Sequence, residues 1–405
     1  MSEPLTTQTV LDYIRGSAEG VAHFGSTEGL RAEALTEGNV NLIFRVTNGH
    51  RSLLIKQALP HSWRYPDFKM PVDRAGLEYD VLQLETRWAP EHTVRVYWHD
   101  EARHLNAIED LDQHIVLRAG LIAGREYPNL ARHIGRFMAQ TLFHTSDLYL
   151  PSAEKKHLVQ RFTNPVMCKV QEDLVFTQPF TRHPNNRWNP RLDQQVAALH
   201  ANAALISEVH SLKQAYLAHA QALLHNDLHS GSVLVNAVET RVIDPEFAFF
   251  GPIGHDVGSY LANLVLNYAG HEHHSALGAT RARYRSWLLE QIRETWTTFE
   301  AEFLRLWETE GNAIEWPEPT YRARYLRDVL RDTAGFGATE IVRRTIGLAH
   351  VADLDEIPND EDRASAESLA LNVAVAWLTM RPTLTDIHQL VSLTETARPD
   401  LAPSR

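Results

Sequence analysis

The sequence predicts an α+β fold of two lobes, a small β-rich N-terminal lobe and a large, mostly helical C-terminal lobe. Three observations predict it. Residues 31–59 are rich in apolar residues around an Asn-Gly pair, which reads as antiparallel strands. Near Asp112 the pattern changes to amphipathic helices, the first of them over Pro128–Thr145. From Val257 onward the chain is almost entirely helical in period, with Tyr284, Leu288, Ile292, Trp296, Phe299, Phe303 and Trp307 on one long stripe. The two lobes are accordingly placed at residues 1–111 and 112–405.

In chain order, a short helix is expected around Thr7–Arg15. The strand Val40–Val46 is followed by Asn48-Gly49, which tolerates the positive φ angles of a tight hairpin, and then by the strand Ser52–Lys56. Leu77, Val81, Leu82 and Leu84 recur at helical spacing within Asp73–Arg87. Strand-like pieces follow at Thr93–Tyr97 and His104–Ile108, then the polar break Glu109-Asp110-Leu111-Asp112. In the Pro128–Thr145 helix, Ile134, Phe137, Met138 and Leu142 form the apolar face, and Leu192–Ala222 holds further helix. The short runs Val233-Leu234-Val235 and Val242-Ile243, separated by Glu239-Thr240, read as a small hairpin. Hairpin, helix, strands, hinge, helices, short hairpin and helices is the order of a protein-kinase-like bilobal fold.

Composition narrows the class further. The chain has 405 residues with 39 basic and 51 acidic side chains, a formal charge of −12. At 44% hydrophobic and 22% charged it is an ordinary globular composition, which excludes a disordered chain. No apolar run approaches the roughly 18 residues that span a bilayer. Met1-Ser2-Glu3-Pro4 has neither the basic nor the apolar region of a secretory signal, and the lone Cys168 cannot form an internal disulfide. A cytoplasmic protein is expected. The acidic balance argues against a nucleic-acid partner, which needs basic surface, but leaves room for a phosphate-bearing ligand held by a few local cations.

Four features fall in the order that phosphoryl transfer from a nucleotide requires. In Glu37-Gly38-Asn39-Val40-Asn41, a glycine between strands lets backbone N–H groups approach phosphate oxygens, although a single glycine fits an ordinary hairpin turn equally well. Lys56 ends an apolar strand and Glu78 lies on the next helix, the arrangement by which kinases hold the α- and β-phosphates; a surface lysine is the usual alternative. His225-Asn226-Asp227-Leu228-His229-Ser230-Gly231-Ser232 follows an apolar lead-in and precedes a β-rich run. The aspartate of such a loop orients the attacking hydroxyl, and Ser232 occupies the position that is a metal-facing asparagine in protein kinases. His225 and His229 at i and i+4 also raise zinc, but position 226 is Asn where a zinc-binding His-Glu-x-x-His motif carries glutamate. Finally, Asp244-Pro245-Glu246 ends a short apolar strand, and two carboxylates at i and i+2 suit Mg²⁺; alone, it would read as an Asp-Pro turn.

These residues resemble the 5-methylthioribose kinase family, a branch of the aminoglycoside-phosphotransferase and choline-kinase-like group. Asp227-Leu228-His229-Ser230-Gly231-Ser232 looks like its catalytic loop, and Asp244-Pro245-Glu246-Phe247-Ala248-Phe249-Phe250-Gly251-Pro252 looks like its Asp-x-Glu motif. Glu109-Asp110-Leu111, Tyr127-Pro128, Phe162-Thr163-Asn164-Pro165 and Gly254-His255-Asp256-Val257-Gly258 extend the likeness over nearly the whole chain, weakest toward the C-terminus. The resemblance implies that Gly38, Asn39 and Lys56 contact ATP and that Glu109, Asp110 and Leu111 form the hinge that binds adenine. It further implies that Asp244, Pro245 and Glu246 meet the Mg²⁺–ATP end, with Asp244 and Glu246 on the metal, and that Asp227 engages the sugar hydroxyl at C1. Arg343-Arg344 matches a pair of arginines that grips the sugar; without the resemblance it would read as a solvated helix face.

What the resemblance implies as a whole is an ATP- and Mg²⁺-dependent kinase acting on 5-methylthioribose at O1 in methionine salvage, as a homodimer with no nucleic-acid or membrane partner. Two positions depart from the family. Asn226 stands where glycine is usual, and Phe68-Lys69-Met70-Pro71 precedes Val72-Asp73-Arg74 in a lid where a Trp-Pro pair is expected. Both lie on the ligand side and bear on the substrate more than on the transfer. A kinase of the same fold for another 5-deoxypentose or a small alcohol is therefore one alternative. A catalytically silent nucleotide-binding protein is another, against which the joint presence of Lys56, Asp227, Asp244 and Glu246 speaks.

Overall fold

Strand-forming residues at 31–58 become three antiparallel strands, β1 (Arg31–Leu35), β2 (Asn41–Thr47) and β3 (Ser52–Ala58). With β4 (Val96–Asp100) and β5 (Leu105–Ile108) they form one five-stranded sheet in the order β1-β2-β3-β5-β4. The structure is a computed structural model, and it describes residues 3–35, 40–61, 69–312, 316 and 318–400. The expectations for Gly38, Asn39 and the lid residues 62–68 lie outside the described residues.

Helices α1 (Thr7–Gly16) and α2 (Ala18–Phe24) cover one face of the sheet, burying Val10, Ile14 and Phe24 against Phe44, Val46, Leu53 and Ile55. Thr6 caps α1, its side chain accepting from the Thr9 N–H, so that one of the unpaired donors of the first turn is satisfied. The β2–β3 connection differs from the expected two-residue turn. Thr47 pairs with Ser52 across a four-residue loop, only Gly49 is left-handed, and Asn48 accepts from the His50 and Arg51 N–H groups. The Asn48 side chain adds these hydrogen bonds to the one backbone bond of the turn, from the Asn48 N–H to the Arg51 carbonyl at 3.2 Å.

A second difference is at 93–97, where the strand begins only at Val96. His92 and Val94 pair through their backbone with Val242 in another sheet, so the N–H and C=O groups of this stretch serve two sheets. Helix α3 (Arg74–Trp88) packs Leu82 on Val94, Val96 and Ile108, and Val81 on Phe162, Leu223 and Phe250. It thereby touches both the N-terminal sheet and the segments that carry the site.

The remaining chain is mostly helical. Strands β6 (Ile115–Val116), β7 (Ala222–Leu224), β8 (Val233–Val235), β9 (Thr240–Val242) and β10 (Phe249–Gly251) are short and form a β6-β8-β9 sheet and a β7–β10 pair. The helices are α4 (Leu117–Ile122), α5 (Leu130–His144), α6 (Ser152–Arg161), α7 (Pro165–Gln171), α8 (Asp193–Ala201), α9 (Ala203–Ala218), α10 (Ile253–His274), α11 (Ala279–Thr309), α12 (Pro319–Ile346), α13 (Ala352–Asp355), α14 (Asp360–Met380) and α15 (Ile387–Thr396). The further helix expected within 192–222 is present as two helices, divided at Asn202, whose side chain caps α9 by accepting from the Leu205 N–H; Ala222 belongs to β7. The aromatic stripe of α11 is buried along its length, as its spacing predicts. No helix among the described residues is long and apolar enough to cross a membrane. The fold is thus the α+β, kinase-like arrangement of a small antiparallel sheet and a large helical part.

Helices α10 and α12 lie with their backbones in contact. A Cβ on Gly258 would sit 2.5 Å from the Thr333 carbonyl oxygen and 2.6 Å from the Gly337 nitrogen. This approach sets α12, with its C-terminal Arg343 and Arg344, against α10. Gly258→Ala should therefore force the helices apart and destabilise the fold by about 1–3 kcal/mol, measurable as a lower urea midpoint at unchanged m-value.

Candidate active site

Lys56 is buried on β3, and its ammonium donates to Glu78 Oε1 at 2.6 Å and to Asp244 Oδ1. Glu78, on α3, is fully occupied: its other oxygen accepts from Asn106 Nδ2 at 3.0 Å. Burial opposes the Lys56 charge, but Asp244, Glu78 and Glu246 outweigh it, so the ammonium is held well above the ordinary lysine range. For Glu78, burial and the facing carboxylates push the pKa up, against the pull of Lys56. One ammonium shared by two carboxylates cannot fully neutralise either. Lys56 is thus a buried cross-link between sheet, helix and the Asp244 loop, not a surface lysine.

The catalytic-loop candidate is held from below by α10. Asp256 accepts from the His225 N–H at 2.7 Å and from the Asn226 N–H at 2.9 Å. Asn226 has a left-handed backbone, φ 65°, which glycine or asparagine adopts most readily. The departure from glycine is therefore absorbed by the backbone it must occupy. Its side chain also donates to the Phe247 carbonyl at 2.8 Å, joining this loop to the Asp244–Glu246 segment. Asp244 is itself left-handed, φ 66°.

Asp227 stands half-buried at the centre. Its Oδ1 accepts from Arg343 Nη2 at 3.2 Å and lies 3.5 Å from Arg344 Nη2 and from Gln171 Nε2. Its Oδ2 faces His229 Nε2 at 3.4 Å. His229 Nδ1 accepts from the Gly231 and Ser232 N–H groups at 2.9 and 3.1 Å, which puts the ring proton on Nε2, toward Asp227. A Cβ on Gly231 would lie 2.8 Å from that ring, so the ring position requires glycine there. Burial works against the Asp227 charge, yet His229, Arg343 and Arg344 hold its carboxyl well below the usual range. Ser232 lines the same cavity, and its hydroxyl lies within donating distance of two loop carbonyls, those of Asp227 at 3.0 Å and His229 at 2.9 Å.

Arg343 and Arg344 are buried, not a solvated helix face. Both clamp Glu340 one turn earlier on α12, Arg344 Nε at 2.7 Å and Arg343 Nε on the other oxygen. Burial opposes the Glu340 charge, but the two guanidiniums outweigh it and hold its pKa down to about 2. On the opposite side, Glu246 Oε2 accepts from Arg74 Nε at 3.0 Å and from Asn41 Nδ2 at 3.1 Å. Arg74 also donates to Asn41 Oδ1 and to the Leu59 and Pro71 carbonyls.

Lys56, Asp227, Asp244, Glu246 and Arg344 line one cavity of about 550 Å³, together with Arg118, Arg187 and His350. Arg343 does not line the cavity but reaches its Asp227, and Pro245 is buried between the two carboxylates of its segment. Glu109, Asp110 and Leu111 lie between β5 and β6 and do not line the cavity: Glu109 accepts from the Arg95 N–H, Asp110 pairs with Arg45 at 2.8 Å, and Leu111 packs on the cluster around Val94. Sequence reasoning missed Arg74, Asn41, Gln171, Arg118 and Glu340 as parts of the site; Glu340, three and four residues before the arginine pair, was the one with a local signal.

The residues present fit Mg²⁺. Asp244 Oδ2 and Glu246 Oε1 accept no hydrogen bond among the described residues, and the Asp244 side chain is 42% exposed. No group of three or more His, Cys, Asp or Glu that could hold a metal occurs among the described residues. The donor set therefore suits a metal that completes its shell with water and phosphate oxygens, as Mg²⁺ does. The zinc alternative fails on chemistry, since His225 and His229 use their Nδ1 lone pairs on backbone N–H groups and His225 spends its Nε2 on the Ile243 carbonyl.

The Phosphotransferase enzyme family model matches residues 31–295, the stretch that holds the buried lysine, the lone aspartate and the Asp244–Glu246 pair of this cavity. A methylthioribose kinase of Pectobacterium carotovorum is 41% identical over 371 residues, 89% of this chain and 91% of that one. One of Bacillus cereus is 40% identical over 370 residues, 91% of each. The chain belongs to the methylthioribose kinase family. Among solved structures, a choline kinase from Cryptosporidium parvum aligns over 96% of this chain and 95% of its own with 12% identity and a TM-score of 0.47.

Because Glu340 is held below its ordinary value, it contributes stability above the ordinary carboxylate pKa, and that stability is lost as pH falls toward about 2. Glu340→Gln should flatten this acid limb in Tm against pH. Glu340→Ala, which leaves two buried guanidiniums uncompensated, should cost about 3–5 kcal/mol in urea unfolding.

Proposed function

We propose that this chain transfers the γ-phosphoryl group of ATP to O1 of methylthioribose. The observation that carries the reading is the cavity itself: Lys56 and the Asp244–Glu246 pair at one end, Asp227 with Arg343 and Arg344 at the other, in a chain about two-fifths identical to methylthioribose kinases. Transfer from ATP passes through a loose transition state, so catalysis is mostly positioning and electrostatics. Lys56, charged and fixed by Glu78, meets the phosphates. Asp244 and Glu246 would hold Mg²⁺. When bound, that ion neutralises charge on the phosphate oxygens.

Asp227 is ionised at neutral pH and is a weak base, because its neighbours already stabilise the charge. Its task is therefore to accept a hydrogen bond from the sugar hydroxyl and aim the oxygen at phosphorus. The proton passes to its carboxylate only as the new P–O bond forms and the γ-phosphorus–oxygen bond to ADP breaks. Arg343 and Arg344 offset charge at the sugar end and would repel a cationic amino-alcohol. Glu109, Asp110 and Leu111 go with the adenine end in this reading, and residues 1–111 and 112–405 with the two lobes that enclose the nucleotide. A place in methionine salvage and in the cytoplasm follows from that substrate. A homodimer goes with the family, and light scattering of the purified chain tests it.

The deciding experiment is ADP release across methylthioribose, 5-deoxyribose, choline and an aminoglycoside, with the largest kcat/KM expected for methylthioribose. A larger value for choline would overturn the reading. Asp227→Ala should lower kcat by roughly three or more orders of magnitude while ATP affinity changes little. The acid limb of kcat/KM should lie below the ordinary carboxylate range, because the Asp227 pKa is depressed; a limb near pH 6 would contradict its assigned role.

A further inference from the structure

Glu85 has no task in the site as described. It is 5% exposed on α3, and its Oε2 has no hydrogen-bond partner. A buried carboxyl without a partner costs stability, so its presence calls for a reason. Glu85 lies two helical turns after Glu78, on the same face. It lines a cavity of about 10 Å³, room for one water, shared with Thr141, Thr145, His225 and Asp256. Asp256 is the residue that holds the backbone of His225 and Asn226, immediately before Asp227.

We propose that Glu85 is a positioning residue for phosphoryl transfer, coupling α3, and through it the Glu78–Lys56 pair, to the Asp256 clamp under the catalytic loop. The proposal rests on the kinase reading above. It gives one rigid helix two anchors, the first on the lysine that meets the phosphates and the second on the loop that aims the hydroxyl.

The chemistry of the pocket supports this. Burial first, then Asp256 and Glu78, push the Glu85 carboxyl well above its ordinary range. No lysine or arginine lines the cavity. His225 has neither ring nitrogen to spare, since Nδ1 accepts from the Asp227 N–H and Nε2 donates to the Ile243 carbonyl. The polar groups that share this cavity with Glu85 are therefore a carboxylate from α10, a committed imidazole from the catalytic loop, Thr141 of α5 and Thr145 just past its end. A protonated Glu85 brings a donor to the small cavity it shares with Asp256, whereas an ionised one would repel that carboxylate and loosen the clamp.

Glu85→Leu and Glu85→Gln test this on the full chain. If Glu85 only burdens the core, leucine should raise Tm and leave kcat unchanged. If it positions the loop, leucine should keep or raise Tm yet lower kcat by about tenfold to a hundredfold, with ATP affinity nearly intact. Glutamine, which keeps a donor in the same place, should retain most of kcat. Wild-type kcat should also decline on the alkaline side as Glu85 ionises, a decline that Glu85→Gln lacks. Wild-type kcat in Glu85→Leu would overturn the proposal. Should that variant not fold, identical alkaline limbs in wild type and Glu85→Gln would overturn it. Both comparisons are ratios to wild type on whichever sugar the wild type phosphorylates, so the absence of activity on methylthioribose would sink the substrate reading and leave this test standing.

Discussion

One buried ammonium organises the structure around the cavity. Lys56 reaches Glu78 on α3 and Asp244 on the loop after β9, so three segments far apart in sequence meet at a single charge. In a medium of low polarity such a group is costly unless it is paired and fully hydrogen-bonded. That cost makes the arrangement specific. The sheet, the helix and the loop must all be in place before Lys56 is satisfied, and removing the ammonium leaves the buried Glu78 carboxylate without its counter-charge.

The same logic repeats on both sides. Arg74 spans Glu246, Asn41 and two carbonyls, tying α3 and β2 to the second carboxylate. Arg343 and Arg344 lean on Glu340 and present their remaining N–H groups to Asp227. Lys56 is thus flanked by Glu78 and Asp244, while Arg343 and Arg344 share Glu340 on one side and Asp227 on the other. The net charge of −12 is compatible with anionic ligands because these local pairs, not the total, set the field inside the cleft.

Much of this was readable in the sequence, and the failures are instructive. The strands, α3, α5 and the α11 stripe were visible because apolar periodicity reports directly which face is buried. Asp227, Asp244, Glu246 and Lys56 were visible because each sits in a short pattern with a chemical meaning. The strand boundary failed where backbone hydrogen bonds went to a distant partner, as at His92–Val94, and the break at Asn202 between two helices was not visible because one side chain caps the second.

By itself the sequence determined the order of elements, the class of chemistry and the residue types that perform it, since these follow from local spacing and from the donors and acceptors each side chain carries. Only the tertiary structure decided which charges are matched. Arg74 with Glu246, Gln171 with Arg343 and Asp256 with the His225 backbone are separated by long stretches of chain and carry no periodic signal. Their pairing is dictated by burial: once helices and sheet exclude water, every polar group left inside must find a partner in space, wherever along the chain that partner happens to lie.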